Sequence, residues 1–174
     1  MNVFWLLSNP RAAVRLYGLR HVVKMVLETA QLMSNAYHCH GSPNPCPYRP
    51  THMKHPWSIW CCQRRRNFCA LGAFGTALCA EYTRRFGKVH ACQQHIVAML
   101  RQPPLFVKRL RPSQLPHTRM GRCGRFRVPL CMPAQFHSRS ATRAYQRYYA
   151  HKMDELVARD GWRHHYRHGR MRFA

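Results

Sequence analysis

Residues 10–37 read PRAAVRLYGLRHVVKMVLETAQLMSNAY, and this stretch predicts one long amphipathic helix. Asn9 offers a side-chain oxygen for the N-cap, and a proline suits the first helical position because its missing N–H would be unpaired there anyway. Gly18 is either a weak point of this helix or a place of close packing. At 100° per residue the apolar residues gather on one side, which we expect to face the core. That side holds Val22, Val26, Ala30 and Met33, with Val23, Thr29 and Tyr37 beside them.

The opposite side of the predicted helix carries a polar set spaced by three and four residues. Its one acid, Glu28, lies among cations, so its carboxylate should stay ionised. It can then stabilise a developing sugar cation or accept a proton. A solvated face with an ordinary Lys24–Glu28 ion pair explains the same spacing. The full set is His21, Lys24, Glu28, Gln31 and Asn35.

Glycines and prolines divide the rest of the chain. Five prolines and a glycine make residues 38–56 a loop. We predict helices over residues 56–86, 89–101 and 140–159, with Gly87 as the C-cap of the first of these.

Residues 101–133 differ in character, because they hold eight Lys or Arg, six Pro and little periodicity. Loops of this length in compact domains are usually functional or disordered, so we predict an irregular basic arm. The predicted fold class is all-α: a compact single-domain helical bundle over residues 1–160 with a long irregular basic loop. Residues 161–174 form a basic tail.

Charge is the strongest functional signal in the sequence. Lys and Arg total 29, Asp and Glu total 5, and the formal charge is +24. Such self-repulsion calls for an anionic partner, and nucleic-acid phosphate is the commonest one. The alternatives are a solvated basic surface, an anionic membrane surface, and packing with an acidic protein or within a ribonucleoprotein. The predicted nucleic-acid contacts are Arg64, Arg65, Arg66, Arg84, Arg85, Lys88, Lys108, Arg109, Arg111, Arg119, Arg122, Arg125 and Arg127.

Other sites and targeting signals are weak. The nine cysteines show no paired CxxC motif, so we expect reduced thiols, no metal and no cofactor. His52 and His55, with Cys61 and Cys62 nearby, have ligand character but loose spacing. No stretch has the length of a membrane span, and we expect no membrane partner. The acid-poor first 27 residues share features with a mitochondrial presequence but fit better as part of the fold.

A set of short motifs is spread over roughly residues 1–150, and the most specific of them is HVVKMVLETAQ at residues 21–31. The others are MNVF (1–4), PTH (50–52), HP (55–56) with IW (59–60), LCAEYT (78–83), RFGKVH (85–90), CMP (131–133), and AY (144–145) with YY (148–149). Together these motifs resemble those of a family of phage-encoded proteins.

That phage family is similar, more distantly, to the pyrimidine-dimer DNA glycosylases of the endonuclease V type. These compact all-helical repair enzymes flip a nucleotide out of the duplex, cleave the glycosidic bond and then cleave the strand. Their pattern places a catalytic Glu seven residues after a His on the first long helix. The resemblance therefore implies Glu28 as the catalytic carboxylate, with His21 and Lys24 beside it. It also implies double-stranded DNA as the partner.

The chain departs from these patterns at four positions. The nucleophile of the glycosylases is the N-terminal amine that is exposed when the initiator Met is removed, which requires a small residue at position 2. Residue 2 here is Asn. Leu27 and Gln31 stand where the glycosylases have Arg, and Leu19 stands where the phage family has Asp. These departures, with the excess of Arg, favour a non-catalytic protein that coats or packages nucleic acid. A structural ribonucleoprotein subunit is a further alternative. In each case we expect an intracellular protein, in the cytoplasm of an infected host or on the nucleoid.

Overall fold

The structure is a computed structural model that describes residues 2–44, 46–107 and 118–161. Within these ranges it is mostly helical, with six α-helices and one two-stranded antiparallel sheet. The prediction of a mostly helical fold is confirmed, but the prediction of a strictly all-α fold is wrong. The elements are α1 (Pro10–Arg15), α2 (Leu19–His40), α3 (Pro56–Gln63), α4 (Arg65–Phe86), α5 (Gln93–Arg101), β1 (Met120–Cys123), β2 (Phe126–Pro129) and α6 (Ala141–Asp160).

The first predicted helix is two helices, because the chain breaks between α1 and α2. Asn9 caps α1 as predicted, accepting from the backbone N–H of Arg11 at 2.9 Å. Gly18 adopts an extended conformation and becomes the N-cap of α2. Distant side chains bind the backbone groups that the break releases. The Arg85 guanidinium donates to the carbonyl of Tyr17, and the Gly18 N–H donates to a tyrosine hydroxyl of α6.

The second predicted helical region also breaks, at Arg64, whose backbone is extended. Buried side chains again replace the helical hydrogen bonds. Asn67 Nδ2 donates to the Trp60 carbonyl at 2.8 Å, and His40 Nε2 lies 2.7 Å from the Cys62 carbonyl oxygen. The predicted C-cap is confirmed, since Gly87 closes α4 in the left-handed conformation with φ +66°.

Residues 120–129 form a β-hairpin, so the prediction that all of 101–133 is irregular is wrong there. Gly124 and Arg125 are the two loop residues between β1 and β2. Gly124 has φ +54°, which the first central position of a type II′ hairpin loop requires. The hairpin packs closely on α6, because a Cβ at Gly121 would lie 2.9 Å from the Ala141 backbone.

One hydrophobic cluster runs from the N-terminal segment to α6. The side chains of residues 3–6 are almost completely buried and pass through its centre. Trp5 stacks on Trp57 with ring centroids 5.7 Å apart and an interplanar angle of 4°. Helix α2 packs against α3, α4 and α5. Gly75 permits the close approach of α4 to α2, since a Cβ there would lie 2.8 Å from Thr29 Cγ2.

Candidate active site and basic surface

The polar side of α2 is covered by other parts of the fold. Lys24 remains exposed and Gln31 is half-buried, but the other three members of the polar set are buried. The N-terminal segment and α6 pack over the first half of this side. The predicted polar face is therefore not one continuous surface. It is made of a site around Glu28 and a structural cluster around Asn35.

The Glu28 carboxylate is held from two directions. Its side chain is only 9% exposed. The backbone N–H of Asn2 donates to Oε2 over 3.1 Å, and the Lys24 ammonium lies 3.3 Å from Oε1. A buried carboxylate needs partners of this kind to remain in the fold as an anion. The Lys24–Glu28 ion pair is therefore present, but Glu28 is nearly buried and does not lie on a solvated face.

Asn2 is itself locked in place by both ends of its side-chain amide. Its Nδ2 donates to the Cys131 carbonyl at 2.7 Å, and its Oδ1 accepts from Trp57 Nε1 at 3.2 Å. The Tyr145 hydroxyl accepts from the same Trp57 N–H and donates to the Pro129 carbonyl at 2.6 Å. Burial raises the pKa of Tyr145 well above its ordinary value, so this hydroxyl keeps its proton. The backbone beside Glu28 is therefore rigidly positioned.

His21 lies on α2 two turns before Glu28, and a tyrosine of α6 orients it. The Tyr149 hydroxyl lies 2.9 Å from His21 Nδ1 and accepts the Gly18 N–H at 2.8 Å. That hydroxyl can donate its own proton to Nδ1, in which case the ring proton is on Nε2. Phe4 contacts the imidazole edge-on, with ring centroids 5.2 Å apart. The histidine ring is therefore held by packing as well as by its hydrogen bond.

An open pocket of about 310 Å³ joins these groups. This volume falls near the lower end of the roughly 300–1,000 Å³ of small-molecule sites. The pocket brings Lys152 of α6 to the same cavity as Glu28 and Lys24, so two amines and one carboxylate line it. Sequence reasoning missed Lys152, because no local pattern links α6 to α2. The lining residues are Asn2, Phe4, His21, Lys24, Met25, Glu28, Cys131, Tyr148 and Lys152.

Asn35 has a structural role and does not line this pocket. Its Nδ2 donates to the Thr51 carbonyl at 2.7 Å and to Ser58 Oγ at 2.9 Å. Its Oδ1 accepts from the Thr51 N–H at 3.2 Å. These bonds tie the loop before α3 to α2, and they use both polar atoms of the Asn35 side chain.

Two of the predicted nucleic-acid contacts are bound within the protein. Glu81, which is 4% exposed, accepts from Arg84 at 2.7 Å and also from Arg85. Burial alone would raise the pKa of Glu81, but the hydrogen bonds and charges of the two arginines outweigh it and lower that pKa. The Arg85 side chain is only 10% exposed, and its guanidinium donates to the carbonyls of Tyr17 and Arg15. These bonds join α4 to the end of α1. Arg84 and Lys88 remain exposed.

The other predicted nucleic-acid contacts within the described residues are on the surface. Arg64, Arg65 and Arg66 are exposed at the start of α4, and Arg119, Arg122, Arg125 and Arg127 are exposed on or beside the hairpin. Arg122 and Arg127 are directly opposite each other across the two strands. Like charges in that position destabilise a hairpin unless an anion lies between them. Lys108, Arg109 and Arg111 lie outside the described residues.

Cysteines and histidines form no metal-binding cluster among the described residues. His52 has φ +49°, and its Nδ1 lies 2.7 Å from the Thr51 hydroxyl oxygen. All nine cysteines of the chain fall in the described ranges and none is in a disulfide bond; Cys69 is the exposed one. Burial raises the pKa of Cys79 and of Cys131 to about 12. In the described part of the chain, no helix has both the length and the apolar character needed to cross a membrane.

Comparison with models of protein families, with curated proteins and with solved structures finds no match to this chain.

Proposed function

We propose that this protein binds DNA and processes a flipped base at the Glu28 pocket, in the manner of a glycosylase with associated strand cleavage. One observation carries the proposal: a nearly buried carboxylate is hydrogen-bonded to the Asn2 N–H in an open pocket that two lysine amines share. The formal charge of +24 supports a polyanionic partner. The resemblance to the endonuclease V type supports the choice of reaction.

In this reaction the bond between C1′ of the deoxyribose and the base breaks, and its electron pair leaves with the base. The Glu28 carboxylate stabilises the positive charge that develops on the sugar. The new bond to C1′ comes either from water or from an amine, and the nucleophile gives up a proton as it forms. When a primary amine attacks, the C1′–O4′ bond then breaks, and its electron pair stays on O4′, which takes up a proton as the iminium forms. Loss of a proton from C2′ expels the 3′-phosphate and cleaves the strand, whereas borohydride reduces the iminium to a stable secondary amine.

The pocket contains amines suited to this step. Lys24 lies beside Glu28, and Lys152 approaches from α6. His21 supplies an oriented imidazole for proton transfer within the same cavity. Flipping a base costs a few kcal/mol, and contacts between the exposed arginines and phosphates offset that cost.

The test is a cleavage and trapping assay on ultraviolet-treated and untreated duplex of the same sequence. We expect strand breaks in the treated duplex alone, and a covalent protein–DNA complex when borohydride is present. Peptide mapping of that complex then identifies the attacking amine as Lys24, Lys152 or a terminal amine. The proposal is wrong if the protein binds both duplexes and yields neither breaks nor a trapped complex.

A non-catalytic packaging role is the second candidate, and one observation favours it. The positions where the glycosylases have Arg around the catalytic Glu hold Leu27 and Gln31 here, and Leu27 is 37% exposed at the surface of α2. A packaging protein binds through phosphates, so its affinity would fall steeply with salt and would not depend on lesions. The same assay separates the two roles, because packaging predicts binding without any product.

A further inference from the structure

A second pocket, of about 670 Å³, lies between the start of α4 and the turn of the hairpin. We call it the arginine pocket. It combines three kinds of side chain: aromatic from Trp5 and Phe126, small from Ala70 and Ala73, and cationic from Arg66 and Arg125. None of its lining residues is acidic. Nothing in the Glu28 chemistry uses this cavity, and the two pockets share no lining residue.

The electrostatics of the arginine pocket call for an anion. Arg66 lies in the first turn of α4, where the helix dipole is already positive and where no acid is present. The N-cap residue Arg64 forms no side-chain capping hydrogen bond. Arg125 approaches from the hairpin, with its guanidinium 5.4 Å from the centre of the Phe126 ring. The fold thus brings two cations to the positive end of a helix, and an anion there removes their repulsion.

The rest of the cavity calls for a flat apolar group. Phe126 is half-buried and supplies the accessible aromatic ring of the pocket, whereas Trp5, 6.2 Å away between ring centroids, is 2% exposed and lies behind it. Ala70 and Ala73 leave space on the opposing helix. An acidic side chain or a lipid phosphate supplies the charge, but neither group itself carries a flat ring. A nucleotide supplies both in one unit, and aromatic stacking on protein side chains is the usual way to bind an unpaired base.

We propose that the arginine pocket binds one nucleotide unit, with the base against Phe126 and the phosphate on Arg66 and Arg125. The unit comes either from an unpaired position of a strand or from a free mononucleotide. The inference rests on the nucleic-acid binding of the proposed function but not on its catalysis.

The test uses undamaged DNA, so that cleavage does not enter. One labelled duplex is fully paired, and the other carries a two-nucleotide bulge. Anisotropy titrations should show tighter binding of the bulged duplex by the wild type. Ala73→Phe fills the pocket without changing charge, and Ala80→Phe is its control, because Ala80 is also an exposed alanine of α4 but does not line the pocket. We expect Ala73→Phe to weaken bulge binding roughly tenfold, the loss of one stacked base, and Ala80→Phe to leave it unchanged.

The phosphate half is tested by charge. Arg66→Gln with Arg125→Gln should flatten the salt dependence of bulge binding by about 0.7 in log–log slope relative to Arg143→Gln with Arg147→Gln. Both double variants remove two exposed positive charges. A calorimetric titration with thymidine monophosphate distinguishes the sources. If the wild type binds thymidine monophosphate and Ala73→Phe does not, a free nucleotide is sufficient. If the wild type prefers the bulged duplex but does not bind thymidine monophosphate, the strand supplies the nucleotide unit.

The outcomes separate this inference from the proposed function. If the wild type binds both duplexes equally and Ala73→Phe behaves as Ala80→Phe, the nucleotide pocket is wrong and the proposed function stands. If the protein binds neither duplex nor the mononucleotide, both are wrong. Equal weakening by the two phenylalanine variants also overturns the pocket, since that result reflects damage to α4.

Discussion

The backbone N–H of Asn2 donates a hydrogen bond of 3.1 Å to Oε2 of Glu28, across 26 positions of sequence. Because Asn2 is fixed through Cys131 and Trp57, this bond fixes the carboxylate in turn. The other carboxylate oxygen faces Lys24 at 3.3 Å. Glu28 is therefore an oriented carboxyl group at a pocket, which is the property that the proposed chemistry needs.

Replacing Glu28 by Gln should abolish cleavage and spare binding. Glutamine keeps an oxygen for the Asn2 N–H, so the fold is retained, but it removes the charge that stabilises the sugar cation. We expect the cleavage rate to fall by roughly 10²–10⁴-fold. Single-turnover cleavage of ultraviolet-treated duplex measures the rate, and Glu155→Gln, at an exposed carboxylate, is the control. Equal rates for Glu28→Gln and the wild type would remove Glu28 from the mechanism.

Tyr149→Phe should destabilise the fold. It removes the hydroxyl that accepts the Gly18 N–H and contacts His21 Nδ1, and it leaves buried polar groups without that partner. We expect a loss of about 1–3 kcal/mol in the free energy of unfolding. Tyr148→Phe is the matched control, because Tyr148 is adjacent and half-buried. Denaturant titrations measure both, and similar losses in the two variants would contradict a specific role for the Tyr149 hydroxyl.

Acid should unfold the protein partly through Glu81. Its folded pKa lies below the unfolded value, so its stabilising contribution is present above the unfolded pKa, near 4.5, and is lost as pH falls through the folded pKa. We expect the melting temperature of the wild type to drop as pH falls below about 4.5, since the unfolded state then takes up the proton more readily. Glu81→Gln should have a lower melting temperature than the wild type at pH 7, and its melting temperature should fall less as the pH is lowered. Glu155→Gln should show the same fall in melting temperature with acid as the wild type. If both variants lose this acid dependence, Glu81 is not its specific source.

Arg122→Glu should change stability and binding in opposite directions. In the free protein it replaces a like-charged cross-strand pair with Arg127 by an opposite-charged one, which we expect to stabilise the hairpin by about 0.2–1 kcal/mol. In the complex it places a negative charge on the predicted phosphate surface, so affinity for duplex should fall. Thermal melts and salt-dependent titrations measure the two effects. Arg49→Glu, at an exposed loop residue outside the helices and the hairpin, is the control; it should not raise the melting temperature, and equal stabilisation by both variants would contradict the cross-strand effect.

Cys69 should react with maleimide before the other cysteines. It is exposed, whereas burial raises the pKa of Cys79 and Cys131 to about 12 and leaves little thiolate to react. Because Cys69 lines the arginine pocket, its adduct should also weaken binding of the bulged duplex. Mass mapping after brief labelling identifies the site. Cys69→Ser should remove both the fast labelling and the loss of binding; labelling elsewhere first would contradict the predicted order.

Local signals predicted the helices well and their interruptions poorly. The Asn9 cap and the Gly87 cap follow from residue type and spacing, and the structure confirms them. The break at Gly18 could not be placed, because Arg85 and Tyr149 satisfy the released backbone groups from far along the chain. The hairpin had a local cue in Gly124, which the prolines and arginines around it concealed.

The candidate site was half predictable. The helical period put His21, Lys24 and Glu28 on one side of α2, and the resemblance assigned them a role. Neither could show that this side is covered, because burial depends on what packs over it. The contributions of Asn2 and Lys152 come from the N-terminal segment and from α6, which no spacing within α2 describes.

The amino-acid sequence by itself determined the large positive charge, the positions of most helices and the apolar side that each presents, because these follow from composition and from interactions a few residues apart. Only the tertiary structure decided that Glu28 is buried against the Asn2 N–H, that Arg85 is bound internally, and that Arg66 and Arg125 meet at one pocket. Each of these depends on contacts between residues far apart in the chain. Such contacts form when the elements pack, and no local pattern encodes them.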